Sequence, residues 1–345
     1  MKKYLLSIAA LLLGLLAHSQ EADDLGKYAE VSIIPSLDLN PSWSSEGFEF
    51  GLGNSSLYTH FEGSASEHFS WTLINHWFSG NDFLGADPDP FSLFKGLGWS
   101  NTTNFIDMLY FDLTFGSWTF TLGKQCITTG GHEYDDYDWD VHTQLSSPLW
   151  DGLACYQWGG KVAWTTPSEM TTFSLQMTTS PFGERPFSSG LWTWSAQWSG
   201  EYGWFSPLWS VSAFSRYNDG AASASHQYSW LVSLGNQFLL GNWTITVDWT
   251  NIAGFNEMSA GFQPGHLFHG SVAWAPSERW ECSLRGNLVL DAAMGNGWNA
   301  GAILHFFPLR DSQALRLHLL ASYDPSFSQF MIAAGIRYNL NIKLW

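Results

Sequence analysis

The 345-residue chain is poor in charge. Asp, Glu, Lys and Arg make up 13% of it, about half the share in ordinary soluble domains. Bases are the scarcer kind, 14 Lys and Arg against 31 Asp and Glu, for a net charge of −17. A surface of that sign repels polyphosphate, which excludes nucleic acid as a partner. Three cysteines rule out a dense disulfide framework. Cys126 and Cys155 flank one long connection and are candidates for a single bridge if their strands are neighbours; Cys282 is left over. Beyond Leu16 no apolar run is long enough for a transmembrane helix. No G-x-S-x-G, P-loop or Cys-x-x-Cys is present, so no catalytic residue is assigned.

Aromatics are abundant instead, at 17%, with 21 Trp and 25 Phe. Lys2 and Lys3, the apolar Leu5 to Leu16, and Ala17-His18-Ser19 read as a secretory leader over residues 1–19, cleaved before Gln20. An exported chain with many aromatics, few charges and no spanning helix must meet lipid through strands. Only helices and closed barrels satisfy every backbone group there. The expected fold is all-β, a transmembrane antiparallel barrel in the outer membrane.

The strand pattern agrees. Trp192, Trp194, Ala196 and Trp198 alternate with Thr193, Ser195 and Gln197; Trp243, Ile245, Val247 and Trp249 alternate with Thr244, Thr246, Asp248 and Thr250. The polar rows are Ser, Thr, Asn and Gln rather than Lys and Glu, as a watered lumen requires. Sixteen strands are expected from residue 45 to 345, the first two at 45–53 and 55–64. Short turns such as Gly116 and Gly241 alternate with long connections such as 79–103 and 125–152, the rim asymmetry of an outer-membrane barrel. Both termini belong on the short-turn rim. Pro35 and Pro41 interrupt the apolar stretch before residue 45, so 20–44 is expected as a lead-in segment.

The stretch GKQCITTGGHEYDDYDWD, with LGK before its cysteine and YQWGG (Tyr156 to Gly160) after it, resembles the phosphate-selective porin O and P family. It is similar to porin-like members from Bacteroidales-type bacteria. The resemblance covers about fifty residues, and it implies a sixteen-stranded barrel, trimeric in assembly, that passes small solutes by diffusion. In general porins the third outer loop, here 125–152, folds into the lumen. The phosphate-specific members line their pore with many bases. This chain keeps twelve once Lys2 and Lys3 leave with the leader, and six are expected on the lumen face: Lys161, Arg216, Arg279, Arg285, Arg316 and Arg337. Phosphate selectivity is not carried over.

That loop holds Glu133, Asp135, Asp136, Asp138 and Asp140 among Tyr134, Tyr137 and Trp139. The leading expectation is a constriction whose carboxylates face the lumen and favour cations. Arg285, Arg316 and Arg337 would stand opposite and set up a transverse field. Two other readings stand beside it. One is a solvated acidic loop. The other is a Ca²⁺ site, since D-D-x-D-x-D resembles hard-cation loops although it lacks the Gly and distal Glu of an EF-hand; no resident metal or other cofactor is otherwise expected. The expected function is passive diffusion of small hydrophilic solutes or ions, in contact with outer-membrane lipid and lipopolysaccharide. A non-conducting scaffold barrel and a barrel-embedded hydrolase are the rivals.

Overall fold

The computed structural model describes residues 27–344, apart from 46, 53–54, 80–105, 137, 143–144, 184–186, 218–225, 252–264, 292–295, 311 and 327. The leader, Tyr137, Trp345 and the loop expected at 79–103 therefore lie wholly or largely outside the described residues.

The first half holds β1 (Tyr28–Ser44), β2 (Gly47–Gly51), β3 (Ser56–Ser66), β4 (Phe69–Ser79), β5 (Ile106–Phe115), β6 (Trp118–Cys126), β7 (Tyr156–Thr165), β8 (Thr171–Thr179) and β9 (Trp192–Gly200). Then come β10 (Phe205–Tyr217), β11 (His226–Leu240), β12 (Trp243–Asn251), β13 (Gly265–Ser277), β14 (Trp280–Asp291), β15 (Gly297–Phe306), β16 (Leu315–Asp324), β17 (Gln329–Tyr338) and β18 (Leu340–Lys343). Consecutive strands pair antiparallel except β2 with β3 and β17 with β18; both members of each of those pairs lie against β1, which closes the ring. No edge is left open, which lipid demands.

Two of these strands are continuations. Ser36 faces Arg337 and Ile33 faces Leu340 in one unbroken register, so β17 and β18 are a single wall strand. Pro35, which has no N–H to donate, lies beside the gap. No bulge resets the phase there. β2 and β3 also follow one another along β1, but Asn40 faces Gly51 whereas Ser36 faces Ser56, a shift of one residue. The extra residue falls between Gly51 and Ser56. The barrel therefore has sixteen wall strands.

The count matches the sequence expectation, but its first members differ. Residues 28–44 are not a lead-in; they are the strand that closes the barrel. The expected strands 45–53 and 55–64 are one strand with a bulge. Ser36, Asp38, Asn40 and Ser42 of β1 are buried, while Leu37, Leu39 and Trp43 are exposed. That period of two is present in the sequence, and the two prolines disguise it.

Across the barrel the outward rows are apolar and bare, as with Leu122 (68% exposed), Leu284 (64%) and Leu175 (62%). Aromatic pairs such as Trp118–Trp164, Trp243–Trp274 and Trp280–Phe306 gather next to the short turns, the depth that Trp prefers at a membrane interface. Gly116 and Gly241 sit in those turns at φ 56° and 63°, which tight hairpins need and side chains resist. The start of β1 and the end of β18 share that rim, as expected.

Candidate functional site

The connection from β6 to β7 does not leave the barrel. From Ile127 the chain turns inward and forms three single-turn helices, α1 (His132–Asp135), α2 (Trp139–His142) and α3 (Pro148–Gly152). The Gly-Gly pair lets it approach the wall. Gly130 and Gly131 lie at φ 67° and 83°, and Gly131 N donates to the Leu208 carbonyl at 3.1 Å. A Cβ on Gly235 of β11 would stand 2.7 Å from Gly131 Cα. Two glycines on the loop and one on the wall make the contact.

The inner wall then supplies polar arms. Ser212 donates to the Thr128 carbonyl at 3.0 Å, and Gln176 accepts from Thr128 N at 2.8 Å. Farther round, the Asn287 and Asn299 amides donate to the Leu145 and Ser146 carbonyls at 2.6 and 2.9 Å. Between these arms the wall is apolar. Ile127, Leu149 and Leu153 pack on Phe214, Leu231, Leu267 and Val289. Val141 and Leu145 pack on Ile303, Leu320 and Ala333. These wall residues sit on the lumen face, where alternation calls for polar side chains. Leu231 between Ser229 and Ser233 is the plainest instance. Such departures are the sequence signal that could have located the loop's seat.

The five acids do not act as one ring. Glu133 is buried, accepts from Ser147 N at 2.7 Å, and is pushed up to about 7 by burial against the pull of Arg285 and the Ser147 hydrogen bonds. Its own N–H donates to Asp248 of β12 at 2.8 Å. Asp138 and Asp140 are both paired with Arg316, Asp140 at 2.7 Å, and both lie 3.4 Å from Arg337. Burial raises the Asp138 carboxyl, but Arg316, Arg337 and His142 outweigh it and hold it well below the usual range. Burial and the Asp138 charge keep Asp140 above its usual value. Asp136 accepts from the Gln237 amide at 2.8 Å, and Asp135 is exposed.

This corrects two expectations. The acids are not all lumen-facing, and Arg316 and Arg337 do not stand across an open gap from them. They touch. Lone charges in so narrow a space would each carry a desolvation cost, which pairing offsets. Arg285 is buried beside Glu133 and His142. Arg216 is buried in the inner face of β10, and Arg279 sits in the short turn after β13.

A cavity of about 630 Å³ remains between the loop and the wall of β1, β3–β7, β9–β10 and β17. Asp135, Asp138 and Asp140 line it from the loop; His60, Lys161 and Arg337 line it from the wall. Cys126 and Cys155 are free thiols at the root of the loop, where Ile127 N donates to the Cys155 carbonyl at 2.8 Å. Hydrogen bonding to Cys126 and burial push the Cys155 thiol well above its ordinary range. The two are neighbours, as expected, and are not joined by a disulfide.

A second buried pair was not anticipated. His318 Nε2 and Asp38 Oδ1 are 2.6 Å apart on the inner wall, both side chains fully enclosed. Gly335 makes room, since a Cβ there would meet Asp38 Oδ1 at 2.0 Å. The pair links the closing strand to β16 across β17.

No family model matches the sequence, and no curated protein matches it. Solved structures do. An anion-selective porin from Comamonas acidovorans matches with a TM-score of 0.59 at 11% identity, over 91% of this chain and all of that one. OmpF of Salmonella typhi, in complex with daunomycin, gives 0.59 at 10% identity over 90% of this chain and 97% of that one. The outer-membrane channel DcaP of Acinetobacter baumannii gives 0.56 at 9% identity, over 91% and 98%. At such identities the likeness is one of fold: this chain shares the closed sixteen-stranded barrel of porins.

Proposed function

We propose that the protein is a diffusion channel for small hydrophilic solutes or ions, narrowed by the docked loop 127–155. The observation that carries this reading is the charged cavity of about 630 Å³ left open between that loop and the opposite wall. Asp135 is exposed on the loop side and supplies the field that favours cations. Lys161 across from it, with Arg337 beside the aspartate pair, moderates that preference and gives the passage a transverse polarity. Phosphate selectivity has no support in this arrangement, because Arg216 and Arg285 are outside the lining.

The outward apolar band is the contact with lipid and lipopolysaccharide. A homotrimer would bury part of it where Gly160, Ala196 and Ala213 hollow the outer surface. A scaffold barrel is the second reading, favoured by the depth at which the loop is bonded to the wall. An embedded hydrolase would need Ser, His and acid in contact on the outer face; the Asp38–His318 pair is on the lumen face and sealed.

Single-channel recording in planar bilayers tests the proposal. A steady open conductance supports the channel, and silence supports the scaffold. In a salt gradient Asp135→Asn should move the reversal potential toward anions, with the shift shrinking as ionic strength rises. An unchanged potential would place Asp135 outside the conducting path.

A further inference from the structure

We infer that His132, Asp135 and Asp136 form a binding site for one divalent transition-metal ion, at the end of the loop nearest the short turns. The donors share one face of α1, at positions i, i+3 and i+4. One ligand atom from each lies within 4.8 Å of the others. The imidazole makes this more than a patch of acids. His132 Nε2 lies 3.0 Å from the Ser206 carbonyl, which only accepts, so Nε2 carries the proton. Nδ1 then presents a lone pair.

That lone pair faces the carboxylate of Asp136. The His132 side chain is 7% exposed, and its Nδ1 stands 4.0 Å from Asp136 Oδ2, beyond hydrogen-bond reach. An unprotonated nitrogen and two carboxylates within 4.8 Å of one another repel, and a cation among them turns that repulsion into attraction. A backbone carbonyl fixing the far nitrogen is also the usual support of a metal-bound histidine.

The surroundings agree. A hollow of about 190 Å³ in front of the three donors is also lined by Glu169, from the β7–β8 turn, and Glu201, from the β9–β10 turn. Four carboxylates thus face one space, and no Lys or Arg among the described residues lines it. Glu169 and Glu201 can complete the coordination shell or hold water ligands. An imidazole among carboxylates suits Zn²⁺, Mn²⁺ or Ni²⁺ better than Ca²⁺, which takes oxygen donors. This inference does not rest on conduction, because the site is complete in the loop and wall whether or not the barrel passes solute.

The test is Zn²⁺ titration of the folded, chelator-stripped barrel in detergent, by calorimetry and by X-ray absorption. Wild type should bind one Zn²⁺ with nitrogen in its first shell. His132→Ala should weaken binding by at least about a hundredfold, beyond the ten- to hundredfold lost with an outer-shell partner. Asp136→Asn, which keeps shape and the Gln237 contact, should weaken it in the same direction. Equal binding in wild type and His132→Ala, or an all-oxygen first shell, overturns the assignment. So does nitrogen NMR of metal-free protein at neutral pH showing both His132 nitrogens protonated, since Nδ1 would then be donating to Asp136.

Discussion

The two halves of the lumen wall differ in what they present to the interior. The wall from β10 to β17 carries Phe214, Leu231, Leu267, Val289, Ile303 and Leu320 inward, with Arg285 and Arg316 set among them. The wall from β3 to β9 turns Tyr58, His60, Lys161 and Gln197 toward the cavity. One half is built as a seat, the other as a lining. A barrel of this kind is asymmetric because part of its lumen is a protein core and only the remainder meets water.

The largest effect should come from the charged end of the seat. Arg316→Ala leaves Asp138 and Asp140 beside Arg337 alone, and breaking one partner from a buried ion pair costs about 3–5 kcal/mol. The loop should release from β16, raising single-channel conductance while the barrel keeps its strand content by circular dichroism. If conductance holds steady, the apolar contacts alone seat the loop.

Leu145→Ala tests those contacts. The side chain is fully buried against Ile303, Leu320 and Ala333, and a cavity of that size costs about 2–5 kcal/mol. Limited proteolysis of the loop should accelerate in this variant, and a variant cut as slowly as wild type would remove the apolar seat from the account.

A smaller, pH-dependent effect belongs to His142. Burial lowers its imidazole to about 3, reinforced by Arg285, His269 and His305 and opposed by Asp138. Its Nδ1 accepts from Asp138 N at 2.9 Å, which requires the neutral ring. For a group whose folded pKa is lowered from 6.5, docking stability is full above 6.5 and is lost as pH falls toward about 3. Conductance should therefore rise on acidification across that window. His142→Gln should flatten the response.

Smallest is the glycine contact. Gly131→Ala would bring a Cβ to 2.9 Å from Ser233 Oγ at an unfavourable φ of 83°, costing about 1–3 kcal/mol. Thermal unfolding of the barrel should barely move, while hydrogen exchange at Thr128 to Gly131 quickens.

Much of this was legible in the sequence, and the failures are instructive. Period-two alternation located most strands because the outer face meets lipid throughout and most of the inner face is polar. It failed at β1, where Pro35 and Pro41 read as breakers although they sit in a strand that otherwise alternates. The inward turn of residues 125–152 and both partners of the Arg316–Asp138 pair were identifiable by type. Their contact was not, because it joins positions 178 residues apart and depends on how deep the loop dips. Nothing in the sequence marks the imidazole of His132 as a ligand; its tautomer follows from the Ser206 carbonyl, which only the fold brings within reach.

The central claim is that solute passes along the wall of β3–β9 while the loop seals the inner face of β11–β16. With Cys126, Cys155 and Cys282 replaced by Ser, a single cysteine is placed at His60, on the cavity lining, or at Ser233, fully buried beneath Gly131. A charged, membrane-impermeant thiol reagent is then added during bilayer recording. The account predicts that His60→Cys is modified and its conductance falls, whereas Ser233→Cys conducts as before. Block at 233 with none at 60 would contradict it.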